Sequence, residues 1–177
     1  MNLFLERVRS PIGTILLVSD ADALRALEFA DHEDRLHTAL RRYCGGSALV
    51  AGRAPADAAR RIQSYFDGDL SALDAIPVRM DGTAFQRRVW AALRSIRPGT
   101  TVSYSKLAAS IGAPTSIRAV GAANGANPVS IVVPCHRVIG AGGSLTGYGG
   151  GLPRKAWLIR HEARASTAGS SFSPHHG

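Results

Sequence analysis

The stretch Ser103–Gly125 reads SYSKLAASIGAPTSIRAVGAANG, and it predicts two short helices joined by a tight turn. Ser103 can cap the first helix and Thr115 the second, because a side-chain oxygen just before a helix satisfies free backbone N–H groups. Gly112 supplies the turn, and Gly125 suits the end of the second helix. Two short helices around such a turn are typical of a helix-turn-helix. Many helical hairpins share this spacing, so the pattern alone is a weak indication of DNA binding.

The second of these helices has a small, smooth face. Its sequence SIRAVGAA carries a single cation, Arg118, among small side chains. Such a face favours close approach to a narrow groove over hydrogen bonding to base edges. Arg118 is the residue that could reach into a duplex, although a plain surface cation is the alternative interpretation.

Positive charge is concentrated in the C-terminal half of the 177-residue chain, whose net charge is +8. Residues 1–81 hold 10 Lys and Arg against 12 Asp and Glu, whereas residues 82–177 hold 11 against a single acid, Glu162. A segment this basic attracts polyanions, and nucleic acid is the obvious candidate. A basic surface that only keeps the protein soluble would give the same count, so the charge supports DNA binding without requiring it.

The two cysteines, Cys44 and Cys135, have different surroundings. Neither lies in a CxxC or Cys/His cluster, so no zinc site is expected. Cys135 follows the apolar run 129–133, which predicts a buried strand, and it precedes His136 and Arg137. An imidazole and a cation beside a thiol favour the reactive thiolate.

Glu162 could orient His136 as the carboxylate of a catalytic triad orients its imidazole. This combination predicts that Cys135 is a nucleophile. The alternative is a buried and inert cysteine, which is the common fate of this residue and which a lone Cys-His pair would not displace. Cys44 has no imidazole beside it and is expected to be inert.

The N-terminal half predicts a small sheet followed by helices. The runs 3–8 and 14–18 flank a Pro/Gly turn and predict a hairpin, and 24–29 predicts a third strand. Apolar residues at helical spacing predict helices over 32–43 and 56–66. None of these segments resembles a site, so this half is expected to be scaffold.

In the C-terminal half, Thr83 can cap a helix whose apolar stripe includes Trp90, and the stripe is expected to lie in the core. The last helix is predicted over 153–162, where Pro is acceptable near the start. From Ser166 the chain is poor in apolar residues, and this tail is expected to be disordered.

Residues 127–140 read NPVSIVVPCHRVIG and resemble the active-site signature of the O6-alkylguanine-DNA alkyltransferases, in which Pro-Cys-His-Arg-Val is the hallmark. The resemblance continues in unbroken order on both sides of this signature. Its further motifs are FQRRVW at 85–90, Tyr104, RAVG at 118–121, TGY at 146–148 and WLIRHE at 157–162. The N-terminal half fits the family's small variable domain more loosely, with SPIG at 10–13 as the best match.

The resemblance implies an α/β (α+β) protein of two lobes. The N-terminal lobe, 1–78, would be a ribonuclease-H-like scaffold with a three-stranded sheet and helices. The C-terminal lobe, 82–165, would be mainly helical and contain a winged-helix-like helix-turn-helix. Residues 166–177 would form the disordered tail.

The resemblance also implies the activity. The protein would repair alkylated DNA by moving an alkyl group, methyl above all, from O6 of guanine onto Cys135, with O4 of thymine as a further plausible substrate atom. Because a thioether offers water no leaving group, each molecule would act once and irreversibly.

Five residues carry the catalytic roles that the resemblance implies. Cys135 would accept the alkyl group, and His136, held by Glu162, would deprotonate it through a water. Asn127 would fix the turn that carries the active-site strand and hydrogen-bond near the thiol. Tyr104 would donate a proton or hydrogen bond to guanine N3, so that the leaving base is neutralised.

Binding roles follow from the same resemblance. Arg118 would fill the space that the flipped nucleotide leaves, since a base inside a duplex is inaccessible to the thiol. The implied substrate-binding residues are Tyr104, Val138, Tyr148 and Gly149, and the Gly-rich loop 140–151 would wall the pocket. The other implied DNA-binding residues are Thr115, Ser116, Ala119, Gly121 and Ala122.

No cofactor and no metal are expected, and the expected partner is duplex DNA carrying O6-alkylguanine, bound from the minor groove by a monomer. Cooperative assembly on DNA is left open. No apolar run approaches the ~20 residues of a membrane span, and the N-terminus lacks the pattern of a secretory signal. The cytoplasm is therefore the expected location.

Two other functions fit parts of the sequence. A non-catalytic helix-turn-helix sensor or regulator would keep every activity without the Cys135 thiol. A cysteine hydrolase would turn over repeatedly on an ester or amide, but it would leave the helix-turn-helix and Arg118 unexplained.

Overall fold

The computed structural model describes residues 1–170. Three strands, β1 (Leu3–Val8), β2 (Ile15–Ser19) and β3 (Leu24–Phe29), form an antiparallel meander as predicted. The sheet has four strands and not the predicted three, because β4 (Leu49–Ala51) pairs in parallel with β1. A strand of three residues is too short to show an alternating pattern, and its pairing with β1 is a long-range contact.

Two helices complete the N-terminal lobe, and both agree with the prediction to within two residues. Helix α1 (Glu33–Cys44) packs Leu36 and Leu40 against the sheet. Its end is set by Gly45, whose left-handed backbone (φ 64°) costs glycine little. Helix α2 (Ala58–Phe66) follows β4 along the chain.

The C-terminal lobe begins with α3 (Ala84–Arg94), which Thr83 caps as predicted. The Thr83 hydroxyl accepts from the Gln86 backbone N–H, and the Gln86 side chain accepts in return from the Thr83 backbone N–H, which makes a capping box. Trp90 on this helix is fully buried, in agreement with its expected place in the core.

The predicted helix-turn-helix consists of α4 (Tyr104–Ser110) and α5 (Ile117–Gly125). The Ser103 hydroxyl caps α4 by accepting from the Lys106 backbone N–H at 3.1 Å. The prediction that Thr115 caps α5 is wrong. A backbone hydrogen bond from Ser116 to Ala113 extends the turn, so α5 begins later and Ser116, with no side-chain hydrogen bond to the helix, is its N-cap.

Two further elements frame the helix-turn-helix. Strands β5 (Val102–Ser103) and β6 (Val138–Ile139) form a short parallel pair. Helix α6 runs over Leu152–Ser170 and is longer than predicted, since alanines at 163, 165 and 168 favour its continuation. Residues 166–170 of the expected tail are therefore helical, and its remainder, 171–177, lies outside the described residues.

Both lobes share one continuous hydrophobic core, which includes Phe29 and Tyr65 from the first lobe and Trp90 and Leu158 from the second. Backbone hydrogen bonds also cross between them. The Leu27 N–H donates to the Pro128 carbonyl at 2.9 Å, and the Ser130 N–H donates to the Leu27 carbonyl at 3.3 Å. The segment that leads to Cys135 is thereby fixed to strand β3.

Within residues 1–170, no helix is both long and apolar enough to cross a lipid bilayer. Over the same residues no group of three or more His, Cys, Asp or Glu side chains is placed to hold a metal ion.

Candidate active site and DNA-binding surface

The apolar run before Cys135 is buried, but the prediction that it forms a strand is wrong. Residues 129–133 form successive turns, with a hydrogen bond from the Val133 N–H to the Val129 carbonyl at 3.0 Å. Ile131 adopts a left-handed backbone (φ 72°), which is unfavourable for a β-branched residue and incompatible with a strand. The chain then enters a single 3-10 turn, Cys135–Arg137.

Asn127 holds this succession of turns together. Its side-chain Nδ2 donates to the Val133 carbonyl at 2.8 Å, and its Oδ1 accepts from the Val129 N–H at 3.0 Å. The side chain is buried and also hydrogen-bonds the thiol of Cys135. Both features were expected of Asn127.

The Cys135 thiol lies in a largely closed environment, since the residue is only 7% exposed. Burial raises the pKa of the thiol, while the Asn127 hydrogen bond and the positive charge of Lys155 oppose this rise without cancelling it. The resting thiol is therefore protonated at neutral pH. Cys44 is also buried, and burial likewise raises its pKa.

The carboxylate of Glu162 accepts hydrogen bonds from three polar side chains next to the cysteine turn. Its Oε1 lies 2.7 Å from His136 Nε2, so the predicted pairing of these residues is confirmed. Arg137 binds both carboxylate oxygens, through Nε at 2.9 Å and Nη2 at 2.8 Å. The Tyr65 hydroxyl donates to Oε1 at 2.8 Å.

Arg137 does not serve the thiol as the sequence suggested. Its guanidinium binds Glu162 and, through Nη1, the Ile96 carbonyl at 2.6 Å. Its charge is neutralised by the carboxylate, because a buried cation requires a partner. Lys155 and, more weakly, Arg35 are the cations that lower the pKa of the Cys135 thiol.

The electrostatics of the Glu162 cluster favour a neutral imidazole. Burial would raise the pKa of Glu162, but His136 and Arg137 outweigh it and hold the pKa well below its ordinary range. Burial lowers the pKa of His136, and the attraction of Glu162 only partly offsets this. A neutral His136 that donates from Nε2 to Glu162 has Nδ1 as its acceptor, and Nδ1 is buried without a hydrogen-bond partner among residues 1–170.

A cavity of about 290 Å³ brings most of the predicted site residues together. Tyr104, Asn127, Cys135, Tyr148 and Gly149 all line it. Burial, followed by the proximity of Cys135, raises the pKa of Tyr148 well above its ordinary range, so its hydroxyl remains a donor. A second cavity of about 420 Å³ lies between α1 and the end of α5, and Cys135 does not line it.

Val138 does not line the cavity that contains Cys135. It is buried in strand β6 opposite Val102, and its carbonyl accepts from Lys155 Nζ at 2.5 Å. This carbonyl keeps a second lone pair, so the expected contact of Val138 with the substrate stays a prediction.

The loop 140–151 forms one wall of the cavity, as expected. Lys155 Nζ ties it to α6 by donating to the carbonyls of Thr146 at 2.9 Å and Gly147 at 3.3 Å. The Tyr104 hydroxyl also donates to the Thr146 carbonyl at 3.1 Å. Near Gly149 the backbone passes so close to the guanidinium of Arg35 that a Cβ at this position would collide with it.

Three residues of the site were missed by sequence reasoning. Arg35, on α1, lines the cavity and donates to the carboxylate of Glu28 at 3.2 Å and the carbonyl of Gly125 at 3.1 Å. Tyr65 and Lys155 reach Glu162 and the cavity loop, respectively. In the sequence Arg35 and Lys155 are ordinary helical cations and Tyr65 is part of an apolar stripe, so no local pattern distinguishes them.

The predicted DNA-binding residues lie on α5 and on the turn just before it. Three of them are exposed, namely Thr115, Arg118 and Ala119. Ala122 lines the second cavity. Ser116 is half-buried, and Gly121 lines the cavity of Cys135. The guanidinium of Arg118 makes no hydrogen bond or ion pair with residues 1–170. Beside it the apolar side chain of Ile117 is 44% exposed.

Comparison with known proteins assigns both lobes. Residues 4–80 match the ribonuclease-like domain, and residues 84–164 the DNA binding domain, of 6-O-methylguanine DNA methyltransferase. The methylated-DNA–protein-cysteine methyltransferase of Salmonella typhimurium is 46% identical over 165 residues, which cover 92% of this chain and 96% of that protein. The enzyme of the same name from Mycolicibacterium paratuberculosis is 56% identical over 116 residues, which cover 66% and 70% of the two chains.

Solved structures agree with this assignment. Mycobacterium tuberculosis OGT in complex with DNA has a TM-score of 0.79 and 39% identity, over 93% of this chain and 94% of that one. A structure of Mycobacterium tuberculosis O6-methylguanine methyltransferase has a TM-score of 0.75 and 38% identity, over 92% and 94%. The α/β fold with a helix-turn-helix is therefore shared with these proteins, and the chain belongs to the 6-O-methylguanine DNA methyltransferase family.

Proposed function

We infer that this protein repairs DNA by transferring the methyl group of O6-methylguanine to a cysteine of its own, and that this cysteine is Cys135. The observation that carries the assignment is the position of its thiol in a cavity beside Tyr104 and Tyr148, with the His136–Glu162 pair behind it. Its relatives are named methylated-DNA–protein-cysteine methyltransferases, and one similar protein has been solved with DNA.

In the proposed reaction, His136 removes the thiol proton through a water at Nδ1, while Glu162 holds the Nε2 proton. The sulfur attacks the methyl carbon, the O6–carbon bond breaks, and its electron pair remains on the base. The Tyr104 hydroxyl releases the Thr146 carbonyl and donates its proton to N3, so the base leaves as neutral guanine, and the proton that His136 took from the thiol restores the Tyr104 phenol through solvent. The S–CH3 thioether has no leaving group for water, so each molecule reacts once.

The guanine must leave the duplex to reach the buried thiol, and flipping costs a few kcal/mol. We propose that α5 lies in the minor groove, where Thr115, Ser116, Ala119, Gly121 and Ala122 permit close approach. Arg118 then enters the duplex and offsets the lost stacking. Its exposed position supports this role, as does a guanidinium that has no hydrogen bond or ion pair within residues 1–170.

The remaining features of the proposal concern the substrate and its setting. Tyr148 and the Gly149 backbone contact the flipped base inside the cavity, and the Val138 carbonyl uses its second lone pair for the base while it keeps Lys155. We also propose that a monomer acts in the cytoplasm without a cofactor, and that O4-methylthymine is a second substrate.

Mass spectrometry after mixing with duplex DNA that contains O6-methylguanine tests the assignment. We expect one added methyl group per protein molecule, located on the peptide that contains Cys135, and none in Cys135→Ser. Cys44→Ser is the matched control and should react as the wild type does, since Cys44 does not line the cavity.

Two results would overturn the proposal. Turnover beyond one equivalent would indicate a hydrolase, and unchanged activity in Cys135→Ser would indicate a non-catalytic DNA-binding protein. A non-catalytic protein does not account for the imidazole–carboxylate pair beside the buried thiol, and a hydrolase does not account for the helix-turn-helix and Arg118.

A further inference from the structure

Tyr65 is the one side chain of the N-terminal lobe that binds Glu162 among the described residues. It lies on α2, is fully buried, and donates from its hydroxyl to Glu162 Oε1 at 2.8 Å. The two residues are 97 positions apart in the chain, so only the packing of the two lobes brings them together. Burial and the negative charge of Glu162 raise the pKa of Tyr65 well above its ordinary range, so the hydroxyl stays protonated.

Both the backbone and the ring of Tyr65 are held in place by neighbouring side chains. Its backbone carbonyl lies 2.7 Å from His161 Nε2 on α6, next to Glu162 in the chain. Its ring packs edge-on against His161, with 5.2 Å between ring centroids, and against Phe66 at the same distance. The hydroxyl therefore has little freedom to move away from the carboxylate.

Three donors converge on the same carboxylate oxygen. Oε1 of Glu162 accepts from the Tyr65 hydroxyl, His136 Nε2 and Arg137 Nη2, while Oε2 accepts from Arg137 Nε. Each donor removes part of the negative charge that this oxygen presents to the others. The hydroxyl of Tyr65 thus affects both the position of Oε1 and its attraction for His136.

We propose that Tyr65 is a positioning residue for alkyl transfer, which holds Glu162 Oε1 in line with His136 and keeps the imidazole a neutral proton acceptor. This inference rests on the proposed function of Cys135 and His136. It assigns the N-terminal lobe a direct part in the chemistry, beyond support of the fold.

A change in pH dependence distinguishes this role from a purely structural one. Without the hydroxyl, Oε1 presents more negative charge to His136, which stabilises the imidazolium. The other charged groups that act on His136 are Arg137 and Lys155, and both remain. The acidic limb of the rate profile should therefore move to higher pH, because only neutral His136 can accept the thiol proton.

The experiment compares Tyr65→Phe with Tyr43→Phe. Tyr43 also lies in the N-terminal lobe and bonds across to the second lobe, where its hydroxyl accepts from Gln86 Nε2 at 3.3 Å, but it does not contact Glu162. Single-turnover rate constants are measured from about pH 5 to about pH 9, a range that spans the titration of histidine, on O6-methylguanine duplex and on free O6-benzylguanine. Thermal unfolding of both variants is recorded alongside.

We expect Tyr65→Phe to react about tenfold more slowly on both substrates, which corresponds to one lost hydrogen bond to a charged group. Its acidic limb should move to higher pH, whereas Tyr43→Phe should keep the wild-type rate and profile. As a second readout, the 15N shifts of the His136 ring at neutral pH should indicate more imidazolium in Tyr65→Phe than in the wild type.

A wild-type rate and profile in Tyr65→Phe would overturn the inference, as would equal losses in both variants, since that result would report only weaker packing of the lobes. A slower reaction with an unmoved acidic limb would also overturn it. If the wild type itself transfers no methyl group, the proposed function has failed, and that outcome is visible before any Tyr65 variant is made.

Discussion

At the scale of single residues, the thiol of Cys135 is kept protonated at rest. Burial raises its pKa, and Asn127 and Lys155 only partly compensate. A thiolate formed at rest would be open to oxidation and to unspecific alkylation. A protein that can react only once benefits from a nucleophile that needs His136 to remove its proton.

The exposed side chain of Arg118 leads to a prediction about duplex DNA. Arg118→Ala should slow repair of O6-methylguanine in a duplex about tenfold or more, because flipping costs a few kcal/mol that an inserted side chain offsets. Reaction with free O6-benzylguanine should hardly change, since no flipping is needed. Single-turnover kinetics on both substrates provide the measurement.

Arg60→Ala is the control for simple loss of charge. Arg60 lies on α2 in the N-terminal lobe, where its side chain is exposed and pairs with Asp57. It should leave both rates close to those of the wild type. Equal losses on duplex and free base in Arg118→Ala would contradict the proposed insertion.

At the scale of elements, Lys155 fastens the cavity loop 140–151 to helix α6. Its ammonium is fully buried and is shared among the carbonyls of Val138, Thr146 and Gly147. Burial lowers the pKa of Lys155, and the proximity of Cys135 opposes that change. The same ammonium thus orders the loop and attracts negative charge at the thiol.

Replacing Lys155 should therefore affect stability and reaction together. We expect Lys155→Met to lower the free energy of unfolding by about 3 kcal/mol, since buried carbonyls lose a charged donor. It should also slow the reaction with free O6-benzylguanine at least tenfold, because the loop loosens and the thiolate loses a cation that stabilises it. Urea unfolding and single-turnover kinetics measure the two effects.

The chain has only one other lysine, which makes the control simple. Lys106 is exposed on α4, and Lys106→Met should change the free energy of unfolding by no more than about 0.5 kcal/mol. A wild-type rate for Lys155→Met on the free base would show that the loop does not depend on this contact.

The sequence predicts some helices and strands correctly and misses others. The caps of α3 and α4 and the three antiparallel strands depend on neighbouring residues, so local patterns are sufficient. Strand β4 and the turns at 129–133 depend on distant partners, β1 and Leu27, which no local pattern reveals. An apolar run favours burial, but it does not distinguish a strand from buried turns.

The candidate site divides in the same way. The family signature indicates Cys135, His136 and Glu162, and the last two meet as expected. Tyr65 and Arg35 come from the lobe that was expected to be scaffold only. Their contacts with Glu162 and Gly125 arise from the packing of the two lobes.

At the scale of the whole molecule, the lobes function as a single folded unit around Glu162. The predicted division at 78–82 stays a prediction, while the core runs continuously across it. Glu162 is the only acid after Asp81, and its carboxylate joins α2, the 3-10 turn of Cys135 and α6. The ionisation of this one carboxylate therefore affects the contacts between both lobes.

This arrangement makes the fold sensitive to acid. The pKa of Glu162 is held well below its ordinary value of 4.5, so its stabilising effect is complete above that pH and is lost progressively as the pH falls further. Burial lowers the pKa of His136 from 6.5, so below that pH the unfolded chain binds a proton that the folded chain resists. Both groups therefore lower the free energy of unfolding as the pH falls.

We therefore expect the free energy of unfolding to fall from about pH 7 as His136 loses its contribution, and to fall further below pH 4.5 as Glu162 loses its own. At neutral pH, Glu162→Gln should be less stable than the wild type by about 3–5 kcal/mol, because Arg137 loses its buried partner. That difference should narrow below pH 4.5, where the unfolded wild-type chain begins to bind the proton that the carboxylate of Glu162 resists in the folded state. Urea unfolding at closely spaced pH values measures both curves. Parallel curves from neutral pH into the acid range would mean that the carboxylate of Glu162 does not link the lobes, and that their shared apolar core alone holds them together.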